Sequence, residues 1–280
     1  MTTEAQTQST PSGDTSQLFK RVVVGIDRSS QSVEAARQAA LLADPDGGVT
    51  LLGVWRVPPP TVGVVGADLS REPEADLFLA AAERAVAGAK TAVGTLASPV
   101  TKVVRGFAWD ELLAEIEAEQ ATLVVVGSHG QGRLNGVLIG STTTEIVHKA
   151  PCSVLVARTA DERFPRRVVV GVDGSPESAA AFAVARRIVD RFGGELWPVV
   201  AHGGKGVDKE RVAAIVDYHH EDLQGEPVGA LVAAAADADL VVVGSRGLHG
   251  FKALGSVSER VAHQAHCSTL IVRGLPTHAQ

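Results

Sequence analysis

The chain reads as a doubly wound α/β fold written twice, and three observations predict it. Apolar runs such as Val22-Val23-Val24 and Leu123-Val124-Val125-Val126 lack polar alternation, as expected of parallel strands covered on both faces. Segments of helical periodicity lie between these runs, which implies parallel strands joined by right-handed crossovers. The series of landmarks then recurs. Val22-Val23-Val24-Gly25-Ile26-Asp27 matches Val168-Val169-Val170-Gly171-Val172-Asp173, an offset of 173 − 27 = 146. Gly47-Gly48 and Gly193-Gly194 keep that offset, whereas Gly140-Ser141 and Gly255-Ser256 are 115 apart, as are Cys152 and Cys267. The order survives while the spacing shrinks, so the second copy is a shortened repeat of the first.

The elements of the first copy follow in order. A strand over 21–26 leads to a helix near 30–43, rich in Ala35, Ala36, Ala39 and Ala40 and stopped before Pro45. A second strand spans 49–55. A Pro/Gly-rich loop runs to about residue 70, and a helix covers about 74–96. A third strand lies near 100–105, a helix at about 109–119, a fourth strand at 122–126, a helix at about 141–148 and a fifth strand at 152–157. The second copy places strands near 167–172, 195–201, 216–220, 239–243 and 267–272, with a short helix around 207–214. Residues 1–18, rich in Thr, Gln and Ser, read as a disordered tail. The copies occupy 19–159 and 165–275.

Composition narrows the function classes. A hydrophobic content of 45% with 21% charged residues is that of a globular protein. The net charge of −6 disfavours nucleic acid as a partner, because phosphate backbones attract basic faces. No apolar stretch approaches the ~18 residues of a membrane-spanning helix, so no membrane partner is expected. Two cysteines do not make a disulfide framework, and a cytoplasmic location is the default. Each cysteine opens an apolar final strand and reads as a small buried hydrophobe. If those strands pair antiparallel, the two thiols lie at opposite ends of the contact.

The most informative motif follows the fourth strand. Gly127, Gly130, Gly140 and Ser141 read G-x2-G-x9-G-S and lead into a helix. Strand, glycine loop and helix N-terminus form a cradle for phosphate, because glycines admit close approach and unpaired N–H groups point at the anion. The second copy repeats the motif at Gly244, Gly247, Gly255 and Ser256 with seven residues in place of nine. That shortening predicts weaker binding or altered geometry there. In doubly wound sheets a ligand sits beyond the carboxyl ends of the strands where their order reverses. Asp27 and Gly127 both lie at such ends.

These residues give the chain its likeness. Asp27-Arg28-Ser29-Ser30, Asp173-Gly174-Ser175-Pro176, the glycine motif and Ala150-Pro151-Cys152-Ser153-Val154-Leu155-Val156 together resemble the universal stress protein family in its tandem two-domain form. The likeness covers about 19–273. It implies two five-stranded domains of flavodoxin-like, HUP-type topology with strand order 3-2-1-4-5, forming an intrachain pseudo-dimer to which a second chain can add. It implies an ATP-binding cytosolic stress regulator, with a divalent cation such as Mg accompanying the triphosphate. On that resemblance Asp27 and Val54 lie by the adenosine, and Gly127, Gly130, Gly140, Ser141 and Thr142 hold ribose and phosphates. Asp173, Gly174, Val200, Gly244, Gly247, Gly255, Ser256 and Val257 are their counterparts in the second copy. No residue is assigned to catalysis or to a metal.

Blander readings stand beside these. The glycines serve as turn residues, and Asp27 and Asp173 suit the turn after a strand. Thr142-x-x-Glu145 and Ser256-x-x-Glu259 both read as capping boxes. The choice among ATP, AMP and cyclic AMP, the regulatory protein partner, and the runner-up reading of a slow ATPase or other adenine-nucleotide enzyme of the same fold stay open at the level of sequence.

Overall fold

The computed structural model describes residues 17–57, 72–129, 139–202, 207–216, 220–245 and 257–274. Gly130, Gly247, Gly255 and Ser256 lie outside them, as do most of the expected tail and all of residues 58–70 in the expected loop.

In the first copy the strands are β1 (Phe19–Ile26), β2 (Ala43–Trp55), β3 (Val100–Arg105), β4 (Leu123–Gly127) and β5 (Ser153–Ala157). The helices between them are α1 (Ser30–Leu42), α2 (Glu72–Val93), α3 (Ala108–Ala118) and α4 (Ser141–Lys149). The second copy holds β6 (Arg167–Gly171), α5 (Pro176–Phe192), β7 (Glu195–Ala201), α6 (Lys209–Ile215), β8 (Glu221–Leu223), α7 (Pro227–Ala234), β9 (Leu240–Ser245), α8 (Val257–Gln264) and β10 (Ser268–Arg273). The ten strands lie in one sheet of order β3-β2-β1-β4-β5-β10-β9-β6-β7-β8. Each half therefore runs 3-2-1-4-5, with every pair inside a half parallel.

Side chains of a strand alternate between faces, and the core follows that alternation. Val22, Val24, Leu51, Leu123 and Val125 pack on one face with Ala35, Ala36 and Ala39 of α1. Val23, Leu52, Val124 and Val126 pack on the other with Leu112 and Ile116 of α3 and Ile146 and Val147 of α4. The second half is built alike, with α5 on the first face and α7 and α8 on the second. Both apolar layers run unbroken from one half to the other.

The halves meet where β5 and β10 pair antiparallel, Leu155 opposite Leu270. Cys152 and Cys267 consequently sit at opposite ends of the contact, buried and unbridged. Burial pushes the Cys152 thiol up to about 12 and that of Cys267 up to about 11. A buried polar network closes the seam on the α1 side. Gln38, with no exposed surface, donates to the Arg158 carbonyl at 2.8 Å and accepts from Ser268 Oγ at 2.9 Å.

Three expectations need correction. The second strand begins at Ala43, not at residue 49. Asp44-Pro45-Asp46-Gly47, at the expected stop of the helix before Pro45, forms an irregularity inside the strand, between the pairs Phe19↔Ala43 and Arg21↔Gly48. The third strand of the second copy is β8 at 221–223, not 216–220. Val216 instead caps α6 and is buried there, so its apolar character reflects a helix end. The expected capping box at Thr142 does not form. Gly140 is the N-cap of α4 without a side-chain cap bond, and Glu145 pairs with Lys149 at 2.8 Å.

Gly127 and Gly244 have a packing role that turn logic misses. A Cβ on Gly244 would lie 2.4 Å from the Glu177 carbonyl oxygen of α5. One on Gly127 would lie 3.1 Å from Gln31 Cβ of α1. Gly244→Ala is expected to destabilise the protein by about 1–3 kcal/mol, and Gly127→Ala by less, in denaturant melts. Both thiols are expected to resist a disulfide reagent at pH 8 in the native protein and to react fully once it is denatured; rapid native labelling would contradict their burial.

Candidate functional site

Strand order reverses between β1 and β4. The helix leaving β1 crosses one face and the helix leaving β4 crosses the other, so a crevice opens beyond their carboxyl ends. A cavity of ≈ 370 Å³ occupies it. Gly25, Ile26 and Asp27 supply one wall, Leu52 and Val54 a second, Val126 and Gly127 a third. Ala108 and Leu112 of α3 close the apolar end. Ser29 and Ser32 come from the start of α1, and Gly140, Ser141, Thr142 and Thr143 from the start of α4. Two helix N-termini thus border one chamber, each with the partial positive charge of unpaired N–H groups.

Local chemistry sets each wall. Asp27 Oδ1 accepts from Ser29 N at 2.8 Å and from Ser29 Oγ at 2.5 Å, the turn that the bland reading foresees. The hydroxyl of Ser29 also accepts from Ser32 N at 3.2 Å, which caps α1. Asp27 therefore forms the turn and lines the cavity at once. On α4, Thr143 Oγ1 donates to the Gly127 carbonyl at 2.8 Å, and Gly140 N donates to the Ser128 carbonyl at 2.8 Å. These two bonds hold the start of α4 against the end of β4. Gly140, the N-cap, offers no side chain to the first-turn amides of α4, and the start of the helix borders the cavity.

The second half contains a matching cavity of ≈ 340 Å³. Gly171, Val172 and Asp173 take the places of Gly25, Ile26 and Asp27, and Ser175 and Ser178 those of Ser29 and Ser32. Pro227 and Leu231 replace Ala108 and Leu112, with 227 − 108 = 231 − 112 = 119. Ser175 caps α5 as Ser29 caps α1, accepting from Ser178 N at 3.1 Å.

The expected residues sort as follows. Asp27, Val54, Gly127, Gly140, Ser141 and Thr142 converge on the first cavity, and Asp173, Gly244 and Val257 on the second. Gly130, Gly247, Gly255 and Ser256 lie outside the described residues. Val200 does not line its cavity; Val199 and Ala201 do. Gly25 pairs with Leu52, but Gly171 pairs with Val199, an offset of 199 − 52 = 147 instead of 146. A slip of one residue turns a side chain to the other face, so Val200 faces the α5 layer and Ala201 is the counterpart of Val54. Gly174 does not line the cavity either. It adopts φ +85°, and a Cβ there would meet the Asp208 carbonyl oxygen at 2.7 Å. Leu52, Leu112 and Ser32 were missed, although the alternation of the strand, the repeat of Leu112 as Leu231 and the repeat of Ser32 as Ser178 carry their signal.

The universal stress protein family model matches residues 18–158 and 204–273. The chain belongs to the universal stress protein family. A universal stress protein of Mycolicibacterium smegmatis is 32% identical over 291 residues, covering 90% of this chain and 96% of the relative. One from Mycobacterium tuberculosis strain H37Rv is 31% identical over 297 residues, with the same coverage of 90% and 96%. Among solved structures, a universal stress protein from Archaeoglobus fulgidus superposes with a TM-score of 0.67 at 20% identity, covering 92% of this chain and 97% of that one. That likeness shows the fold alone.

Ser29→Ala in this universal stress protein removes a helix cap and a partner of Asp27 together. It is expected to cost about 1 kcal/mol of stability by thermal or denaturant unfolding.

Proposed function

We propose that this universal stress protein binds an adenine nucleotide, ATP with Mg, in the first cavity and acts as a cytoplasmic stress regulator rather than a catalyst. One observation carries the reading. The chamber is lined both by the apolar side chains of Leu52, Val54, Ala108 and Leu112 and by the start of α4 from Gly140 to Thr143. An aromatic base fits the first and an anion the second. Asp27 also lines the chamber, and its carboxylate is suited to accept a bond from a base or ribose. Its volume falls in the range of about 300–1,000 Å³ typical of small-molecule sites.

A helix start suited to hold phosphate and, among the described residues, a single lining carboxylate favour recognition over turnover. Ligand occupancy then acts by selecting one arrangement of α4. Two unbridged cysteines accord with a reducing compartment. The second cavity repeats the apolar end but presents Val257 where the first presents Thr142. We assign it weaker uptake.

Nucleotide released from the purified, denatured protein tests the assignment by chromatography. Intact ATP is expected; ADP with phosphate release would mark an ATPase, and no nucleotide together with no calorimetric signal for ATP would remove the reading. Replacing Gly140 by Val and Ser141 by Leu should weaken ATP uptake at the first site more than about tenfold, a loss exceeding ~1.4 kcal/mol.

A further inference from the structure

Arg158 and Arg273 are unusual among the charged residues of this chain. They are 8% and 9% exposed, at the two ends of the β5–β10 seam. A buried cation without compensation is costly, and burial pulls both guanidinium groups below the ordinary arginine range. The compensation comes from main-chain carbonyls. Arg158 donates to the Ala262 carbonyl at 2.7 Å and to the Cys267 carbonyl at 3.2 Å. Arg273 donates to the carbonyls of Val147 and Ala150. Ala262 lies in the last turn of α8, and Val147 in the last turn of α4. Each cation therefore meets the negative end of a helix, where terminal carbonyls lack intrahelical partners.

The grip is crossed. Arg158 belongs to the first half and holds the helix of the second, while Arg273 belongs to the second half and holds the helix of the first. These are the two helices whose starts line the cavities, α4 through Ser141, Thr142 and Thr143, α8 through Val257 and Ser258. A helix of nine residues is roughly 14 Å of stiff rod, so its far end is set by where its near end is held. A second link joins the rods, His148 of α4 lying 2.6 Å from Glu259 of α8.

We propose that Arg273 and Arg158 are crossed positioning residues: each fixes, from the opposite half, the helix whose N-terminus receives the ligand, so that occupancy of one site alters the affinity of the other. The assignment of the ligand rests on the nucleotide reading above; the mechanical part does not. Reciprocity follows, since coupling between two binding equilibria acts equally in both directions.

Hydrogen exchange on the full chain, with and without ATP, tests this peptide by peptide. Arg273→Met keeps the volume and removes the charge. It should speed exchange across 141–149 and leave 257–264 near the wild-type rate, and Arg158→Met should do the reverse. Arg273→Lys should restore part of the protection. With ATP, Arg273→Met should weaken protection of 139–145 by roughly two- to thirtyfold in apparent Kd, the span typical of residues that carry coupling. Equal loosening of both helices, loosening only in the half that bears the substitution, or no change in α4 would overturn the proposal. If the Met variants do not fold, Glu259→Gln, on a link at the seam, should reduce the influence of one site on the other; full retention of coupling would count against it. Should wild type take up no ATP, the nucleotide reading falls, while the ligand-free exchange pattern still decides whether the arginines position the helices.

Discussion

The close approach of a helix backbone to the end of a neighbouring strand governs this molecule. The first turn of α1 lies against Gly127 at the end of β4, and the first turn of α5 lies against Gly244 at the end of β9. Only a residue without a side chain permits the second contact, where carbonyl oxygen and a Cβ would be separated by 2.4 Å. The equivalent contact at Gly127, against Gln31, sets where α1 begins, hence where Ser29 and Asp27 turn, hence the wall of the first cavity. The crevice is the space left when helices depart from β1 and β4 to opposite faces of one sheet. Packing and site are one arrangement.

The seam obeys a different constraint. Two final strands of parallel sheets would each leave an open edge, and edges seek cover. Pairing β5 with β10 covers both and centres an approximate symmetry on Leu155 and Leu270. In that register Arg158 falls beside Cys267 and Arg273 beside Cys152. Helix ends reach the same places, so the positive charges meet carbonyl oxygens and no carboxylate is required for the bonds that hold them. The sulfur atoms keep their protons for the same reason that they pack well, namely burial.

Much of this was legible in the sequence, for identifiable reasons. Strands buried on both faces need unbroken apolar runs, so β1, β4, β9 and β10 were placed within a residue or two. The repeat exposed the strand order through resemblance and the landmarks through spacing. Errors arose where local chemistry has two outlets. Asp44-Pro45-Asp46-Gly47 turns the chain whether between elements or within a strand. Val216 is apolar at a helix end as readily as in a strand. Thr142 and Glu145 have cap spacing, but the helix starts at Ser141, with Gly140 before it, because Thr143 and Gly140 are bonded to the end of β4. Val200 failed through arithmetic: the repeat offset held at Gly193-Gly194, yet the pairing had slipped by one, and a strand converts one residue into the wrong face. Arg158 and Arg273 gave no warning, since an arginine after a strand is ordinarily solvated.

Comparison of the two halves separates what the fold needs from what a ligand needs. Gly127 and Gly244, Leu112 and Leu231, Ser29 and Ser175, and Ser32 and Ser178 are matched, and each serves a contact or a cap within the protein itself. Such matches follow from folding alone and say little about binding. The mismatches lie elsewhere. Val54 becomes Ala201 and Ala108 becomes Pro227 at the apolar end, and Thr142 becomes Val257 where the helix faces the cavity. Val54 packs against the second apolar layer and Pro227 opens α7, so these differences change the lining of each chamber within one shared frame. Two cavities of nearly equal size, similar in frame and different in lining, are the expected product of a duplication in which folding constrains the frame more tightly than the lining.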